Sequence, residues 1–135
     1  MFSQIKTSKE NKEVVVNLSR KLNLGAENVI ARIAFTYSLS QDIQLNIEDL
    51  SNSGGKEYSR GVLFGDNFDV YIALLCKHYG LYKTDKDIPK YVKLHVDHGL
   101  ELLNSEYQNN SKLDGFEFIS QLIADSYKAW MRGLM

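Results

Sequence analysis

The sequence predicts an all-α protein with about five helices. Two observations predict this class: apolar residues recur at every third or fourth position in several stretches, and glycine, proline or capping residues separate those stretches. The chain has 135 residues, of which 44% are hydrophobic, which is enough for one real core and too little for two. We therefore expect residues 1–135 to form a single helical domain.

Composition excludes several classes of protein. Sixteen Lys and Arg residues against seventeen Asp and Glu residues give a net charge of -1, so any anion-binding surface must be local. The one cysteine, Cys76, excludes an internal disulfide and favours a reducing, intracellular compartment. The chain shows neither a signal peptide nor a stretch long enough to span a bilayer, which predicts a soluble cytoplasmic protein without a membrane partner.

The first forty residues predict an arm, a helix, a turn and a second helix. Residues 2–7 predict a short strand or an extended arm. The next residues match a capping box in which Thr7 caps the first helix and Glu10 completes the motif. Gly25 permits a tight connection into the second helix. The apolar side of the first helix consists of Val14, Val15, Leu18 and Leu22.

The second helix is apolar on more than one side. Ala31, Arg32 and Phe35 point away from its main apolar stripe. An outward aromatic residue beside a cation predicts a contact with another subunit, which makes Phe35 the candidate oligomer-interface residue. The main stripe consists of Ala26, Val29, Ile30, Ile33, Ala34 and Tyr37.

Residues 40–65 predict a long and mostly irregular connection that binds a ligand or is mobile. Its second half places Lys56 and Arg60 between glycines, and backbone N–H groups of such loops can approach phosphate oxygens while the cations neutralise them. It is not a Walker A loop, because Glu57 stands where a Ser or Thr would hold magnesium. A solvated loop whose glycines only serve turns explains the pattern equally well.

The third helix, predicted over residues 67–79 with Asp66 as its cap, is apolar almost all round and is expected to be buried. Burial raises the pKa of a thiol, so Cys76 is expected to pack as a small apolar residue and not to carry sulfur. Gly80 is expected to end this helix, and Pro89 suits the first turn of the next.

The fourth helix, predicted over residues 89–103, contains two histidines three residues apart. His95 and His98 could bind a metal together with a carboxylate, which leaves a small metal-dependent enzyme as one alternative. His95 lies among apolar residues, however, whereas Asp97 is expected to face away. The sequence therefore favours a buried, hydrogen-bonded His95 beside a close helix contact at Gly99, with no metal or cofactor.

The last helix carries one clean apolar stripe, which predicts either core or a subunit interface. Its opposite face is not cationic enough for a membrane surface. The stripe consists of Phe116, Ile119, Ile123, Tyr127, Trp130 and Leu134.

Three motifs over residues 3–123 resemble the DndE family of bacterial DNA phosphorothioation systems: Arg32-Ile33-Ala34-Phe35, the loop from Gly55 to Gly65, and His95-Val96-Asp97-His98-Gly99. The resemblance implies a non-enzymatic component of the machinery that replaces a non-bridging phosphate oxygen of DNA with sulfur. It implies partners of three kinds: a cysteine desulfurase, an ATP-dependent sulfur-inserting enzyme and an ATPase. It further implies a tetramer that binds duplex or nicked DNA, with an N-terminal half similar to a ribbon-helix-helix (Met repressor-like) protein.

Local charge points to the surface for such DNA binding. Residues 1–32 hold six basic and three acidic residues, the most basic part of the chain. We expect contacts to phosphates with little sequence preference. A ribbon-helix-helix transcriptional regulator, whose paired arms read bases through Gln4 and Lys6, is the other alternative. The candidate DNA-contacting residues are Lys6, Lys9, Lys12, Arg20, Lys56 and Arg60.

Overall fold

The computed structural model describes residues 3–134 of the chain. Most of these residues are helical, which confirms the predicted class, and Phe2 of the predicted arm lies outside the described residues. The elements are β1 (Gln4–Lys6), α1 (Lys9–Leu22), α2 (Glu27–Ser40), β2 (Glu57–Ser59), the five-residue α3 (Arg60–Phe64), α4 (Phe68–Tyr79), α5 (Ile88–Asn109) and α6 (Gly115–Leu134).

The N-terminal strand pairs within its own chain. β1 and β2 are antiparallel, and Ile5 lies opposite Tyr58 with both side chains buried. The predicted order of arm, helix, turn and helix is therefore present, but its ribbon is completed by β2 and not by a second chain. This pairing does not favour the ribbon-helix-helix regulator, in which arms of two chains pair with each other.

The core is built around the contact between α2 and α5. A Cβ added at Gly99 of α5 would lie 1.8 Å from the carbonyl oxygen of Ala34 in α2. Only glycine therefore allows the two backbones to come this close. The predicted close helix contact at Gly99 is confirmed. Ala34 itself is fully buried, as are the neighbouring core residues Val92, Val96 and Leu100 of α5.

Phe35 lies in the core of its own subunit, so its predicted position at a subunit interface is wrong. Its side chain is 0% exposed and its ring packs edge-on against Phe64 at 4.9 Å between centroids. The physical reason is that α2 is covered on a second side by α3 and α4. Arg32, also predicted to point away, donates from Nε to the Leu63 carbonyl oxygen at 2.6 Å.

The helix α4 is less buried than its composition predicts. Only Ile72 and Leu75 are buried, whereas Val70 and Leu74 are 57% and 47% exposed. The helix packs on one side only, so the predicted burial all round is wrong. It follows a single 3-10 turn over Gly65–Asn67, and Asp66 does not cap it.

Two helix boundaries depend on single residues. Gly80 ends α4 in the left-handed conformation, with φ of 67°, and Pro89 lies in the first turn of α5, both as predicted. The helix α5 continues to Asn109, past the predicted end at residue 103, because a polar segment extends it along the surface.

The last helix is anchored at its first turns. A Cβ added at Gly115 would lie 1.9 Å from the Leu22 carbonyl oxygen, and Phe118 and Leu122 are buried. Most of the predicted apolar stripe is exposed and does not enter the core. Within residues 3–134, no helix is both long enough and apolar enough to cross a membrane.

We expect Gly99→Ala to lower the free energy of unfolding by about 3 kcal/mol, because the added methyl group forces α5 away from α2. Urea denaturation followed by circular dichroism measures this change. The matched control is Gly61→Ala in α3, where an added Cβ meets nothing within 4 Å. The control should keep stability or raise it by up to about 1 kcal/mol, because alanine favours a helix more than glycine does, and an equal loss in the two variants would contradict the packing argument.

Candidate nucleic-acid interface

The start of α1 is capped by Ser8, one residue later than predicted. Ser8 Oγ accepts the N–H of Asn11 at 3.1 Å. The hydroxyl of Thr7 has other partners, because it accepts the Lys56 N–H at 2.9 Å and donates to the Ser8 carbonyl oxygen at 3.1 Å. Thr7 therefore joins α1 to the segment before β2 and leaves the capping position to Ser8.

The glycines before β2 serve packing and do not form an open phosphate cradle. A Cβ added at Gly55 would lie 2.1 Å from the Ser8 carbonyl oxygen and 2.2 Å from Thr7 Oγ1. The Gly55 N–H donates to the Thr7 carbonyl oxygen at 3.0 Å. The space and the donor that the sequence suggested for a phosphate are thus occupied by the chain itself.

A buried carboxylate positions the start of α1. Asp97 of α5 is 7% exposed and was predicted to face away, which is wrong because that side of α5 meets the N-terminus of α1. Its Oδ1 accepts the Ser8 N–H at 3.0 Å and Asn11 Nδ2 at 2.8 Å. Its Oδ2 accepts Lys93 Nζ at 2.8 Å and Ser51 Oγ at 3.1 Å.

Lys93 extends this network to the strand and the loop. Its ammonium group donates to the carbonyl oxygens of Lys6 and Asn52, each at 2.8 Å, as well as to Asp97. A buried ion pair is tolerated when every donor and acceptor is satisfied, as here. Sequence analysis missed Lys93; the available signal was a pair of opposite charges four residues apart in an apolar helix.

The exposed face of α1 carries three of the predicted DNA-contacting residues. Lys9, Lys12 and Arg20 all have exposed side chains. Lys9 and Arg20 lie on the side of α1 opposite its buried residues, and Lys12 lies on the flank between the two sides. Lys9 and Arg20 are separated by about 16 Å along the helix, at about 1.5 Å per residue. Lys6, exposed at the end of β1, precedes them. We call Lys6, Lys9, Lys12 and Arg20 the basic row.

Acidic residues lie beside the basic row. Glu57 is paired with Lys6 across the two strands, and Glu10 and Glu13 are exposed on α1. A hydrogen bond from its own backbone N–H, followed by one from the Asn52 amide, holds the pKa of Glu10 below its usual value of 4.5. These carboxylates offset much of the positive charge, so the basic row attracts an anion only at short range.

The side chains of Lys56 and Arg60 contact residues outside the basic row, although the backbone of Lys56 is hydrogen-bonded to Thr7. Lys56 and Arg60 are the residues immediately before and after β2, and Arg60 is the first residue of α3. Lys56 Nζ lies 3.2 Å from Glu27 Oε2, and both side chains are about one-third exposed (34% and 32%). The Arg60 guanidinium lies 4.8 Å from the centroid of the Phe68 ring. DNA contact by these two residues stays a prediction.

The two predicted histidine ligands share one hydroxyl group. Ser38 Oγ lies 2.7 Å from Nδ1 of both His95 and His98, and the Tyr79 hydroxyl lies 2.6 Å from His95 Nε2. His95 is 0% exposed, which confirms the predicted buried and hydrogen-bonded histidine. Burial, followed by the positive charges of His78 and His98, lowers its pKa from 6.5 to about 4.

The arrangement does not favour the metal-dependent alternative. Both ring nitrogens of His95 already have hydrogen-bond partners inside the protein. Throughout the part of the chain that the structure describes, no group of three or more His, Cys, Asp or Glu side chains is placed to hold a metal ion. Burial, followed by the charge of Asp85, raises the pKa of the Cys76 thiol, which disfavours the reactive thiolate.

Comparison with known proteins finds a matching family and a solved structure with a similar fold. A family described as "DNA sulphur modification protein DndE" matches residues 4–111, from β1 to just beyond α5. The crystal structure of DndE from Escherichia coli B7A, involved in DNA phosphorothioation modification, is similar with a TM-score of 0.61 and 18% identity, over 76% of this chain and 98% of that chain. No curated protein sequence matches significantly. The family match ends before α6.

We expect the protein to lose stability as the pH falls from about 6.5 to about 4, because of His95. In that range the unfolded chain binds a proton at His95, whose pKa is then near 6.5, whereas the folded chain with a pKa of about 4 does not. Acidification therefore lowers the free energy of unfolding, by about 3 kcal/mol between pH 6.5 and pH 4. Burial also lowers the pKa of His98, which acts in the same direction.

Urea denaturation at several pH values between 4 and 7 measures this dependence. His95→Gln keeps a hydrogen-bonding group but cannot titrate, so it should show a flatter dependence than the wild type. Identical pH dependence of the two proteins would contradict the assignment to His95.

Proposed function

Because this chain belongs to the DndE family of DNA sulphur modification proteins, we propose that it is a non-enzymatic, DNA-binding component of the phosphorothioate modification machinery. The observation that carries this proposal is the family match over residues 4–111, which includes the whole basic row and the Asp97 network that positions it. The family's role is DNA sulphur modification; DNA binding and the lack of catalysis are our proposals.

A non-enzymatic role is supported by the way the reactive side chains are engaged. Asp97 is saturated by hydrogen bonds to α1, the 51–52 loop and Lys93. His95 joins α2 to α4 through Ser38 and Tyr79. These groups stabilise the fold and are not poised for catalysis. We propose that the chemistry belongs to the partner components: a desulfurase, a sulfur-inserting enzyme and an ATPase.

The basic row is the surface that suits a DNA backbone best. Its ammonium and guanidinium groups are exposed along about 16 Å of α1. Duplex DNA carries about one negative charge per 1.7 Å of its axis, so several phosphates lie within reach of this length. The Asp97 network fixes the backbone at the N-terminal end of the row, so little backbone entropy is lost when DNA binds.

Assembly into a homo-oligomer would repeat the basic row. A single copy has too little net positive charge for strong binding, whereas several copies add their phosphate contacts. We therefore propose that the protein acts as a homo-oligomer, with the tetramer implied by the family resemblance, on DNA in the cytoplasm. Lys56 and Arg60 would add phosphate contacts if a phosphate displaced their present contacts with Glu27 and Phe68.

We expect Lys9→Gln/Lys12→Gln to weaken DNA binding alike for all duplex sequences. Each phosphate contact contributes about 0.9 to the slope of log affinity against log salt, so losing two contacts should flatten the slope by about 1.8. Fluorescence anisotropy with intact and nicked duplexes at several salt concentrations measures this slope.

The matched control is Lys83→Gln/Lys86→Gln, which removes two exposed cations outside the basic row. It should leave affinity and slope near those of the wild type. Equal losses in the two variants, or a strong preference for one operator sequence, would contradict backbone binding through the basic row. Lys56→Ala/Arg60→Ala, measured beside them, tests the two residues next to β2.

We expect Cys76→Ser to leave phosphorothioate levels in cells largely intact, because the half-buried thiol with its raised pKa is not a sulfur carrier. The substitution should cost about 1 kcal/mol of stability, since it places a hydroxyl group in apolar surroundings. Mass spectrometry of digested DNA measures the modification. Cys76→Ala, which adds no hydroxyl, is the control. Complete loss of modification in both variants at normal protein abundance would contradict this prediction.

A further inference from the structure

The helix α6 carries a row of large apolar side chains that the described chain leaves uncovered. These side chains are between 59% and 78% exposed, in contrast to the buried Phe118 and Leu122 one face away. The helix begins after the part of the chain that matches the family, which ends at residue 111. We call these exposed residues the α6 stripe: Phe116, Ile123, Tyr127, Trp130 and Leu134.

A groove of about 580 Å³ runs beside the α6 stripe, between α2 and α6. Ile33 and Tyr37 line it from α2, and Ile119, Tyr127 and Trp130 line it from α6. Its side-chain polar groups are hydroxyls and the indole N–H of Trp130, and none of the described residues that line it is charged. An apolar surface without charges does not suit a DNA backbone, which requires cations.

The α6 stripe is large enough for a stable contact. A buried aromatic side chain covers about 150–250 Å², and three of the five residues are aromatic. The five together expose on the order of 500 Å² per copy, or about 1,000 Å² over two copies, which reaches the lower limit of a specific interface. Apolar patches of this size mark interaction sites in soluble proteins.

The spacing of the α6 stripe is nearly the same in both directions along the helix. Ile123 and Tyr127 lie equally far from residue 125, as do Phe116 and Leu134. Two antiparallel copies therefore place Phe116 against Leu134 and Ile123 against Tyr127, as a two-fold interface requires. The same arrangement sets Trp130 of one copy near Ile119 of the other, at the edge of the groove.

The helix dipoles favour the same orientation. Two antiparallel copies of α6 oppose their dipoles, whereas parallel copies would align them. The charged residues Glu117, Asp125, Lys128 and Arg132 lie away from the α6 stripe and do not meet across this contact.

We propose that the α6 stripe is a self-association surface, on which α6 of a second copy of this chain packs antiparallel. Because α6 lies outside residues 4–111 that match the family, the proposal adds a contact of this chain's own to the homo-oligomer proposed above. It does not depend on DNA binding, because the basic row belongs to α1. The α6 stripe takes the role in assembly that sequence analysis gave to Phe35.

Tyr127→Glu tests the surface, because it places an unpaired charge in the centre of the interface. We expect the wild type to be a dimer or larger at micromolar concentrations, and the variant to dissociate into smaller species, with association at least 100-fold weaker. The control is Gln121→Glu, which adds the same charge on the opposite, exposed face of α6 and should keep the wild-type mass.

Sedimentation velocity and light scattering measure the mass, and circular dichroism checks that each variant is folded. A monomeric wild type would overturn both the homo-oligomer and this surface. If the wild type is an oligomer and the Tyr127→Glu variant has the same mass, the α6 surface alone would be overturned. A variant that loses DNA binding but keeps its oligomeric mass tests only the basic row. The two proposals can therefore fail separately.

Disulfide trapping tests the orientation, with Cys76→Ala as background. Antiparallel packing brings residue 123 of one copy opposite residue 127 of the other, within the distance that a disulfide spans. A mixture of Ile123→Cys and Tyr127→Cys chains should therefore cross-link as a mixed dimer, more than either variant alone. Cross-linking of each variant only with itself, or no cross-linking at all, would overturn the antiparallel arrangement.

Discussion

The buried Asp97 carboxylate is the interaction on which the arrangement of the N-terminal half depends. It receives hydrogen bonds from the start of α1, from the 51–52 loop and from Lys93, whose ammonium group also binds the end of β1. Removing either charge would leave the other buried without a partner, which costs several kcal/mol. The basic row therefore owes its fixed position to a charge pair that solvent hardly reaches.

Sequence patterns predicted those features of the fold that depend on one residue's own chemistry. Gly99 at a close helix contact, Gly80 at a helix end and a buried His95 follow from what these residue types can do. Phe35 and Asp97 could not be placed in this way. A helical wheel gives the direction of a side chain but not what covers it, and both residues are covered by segments distant in sequence.

The same limit applies to the residues of the candidate DNA surface: the helical wheel gives the exposure of the α1 cations but not the contacts of the loop cations. The helix period alone predicts that the cations of α1 lie away from its buried residues, at the surface. The loop cations depend on contacts across the fold, where Glu27 meets Lys56 and Phe68 meets Arg60. With acidic neighbours and a net charge of -1, the proposed DNA binding would depend on several short-range contacts and not on long-range attraction.

The hydroxyl group between His95 and His98 couples the two rings. Ser38 has one hydrogen and can donate it to only one Nδ1, so at least one of the two rings must carry its own hydrogen there. When Ser38 donates to one ring, the two neutral rings hold opposite tautomers. In that state, a ligand that fixes the tautomer of the partly buried His98 would also set that of the buried His95, and with it the direction in which the Tyr79 hydroxyl donates.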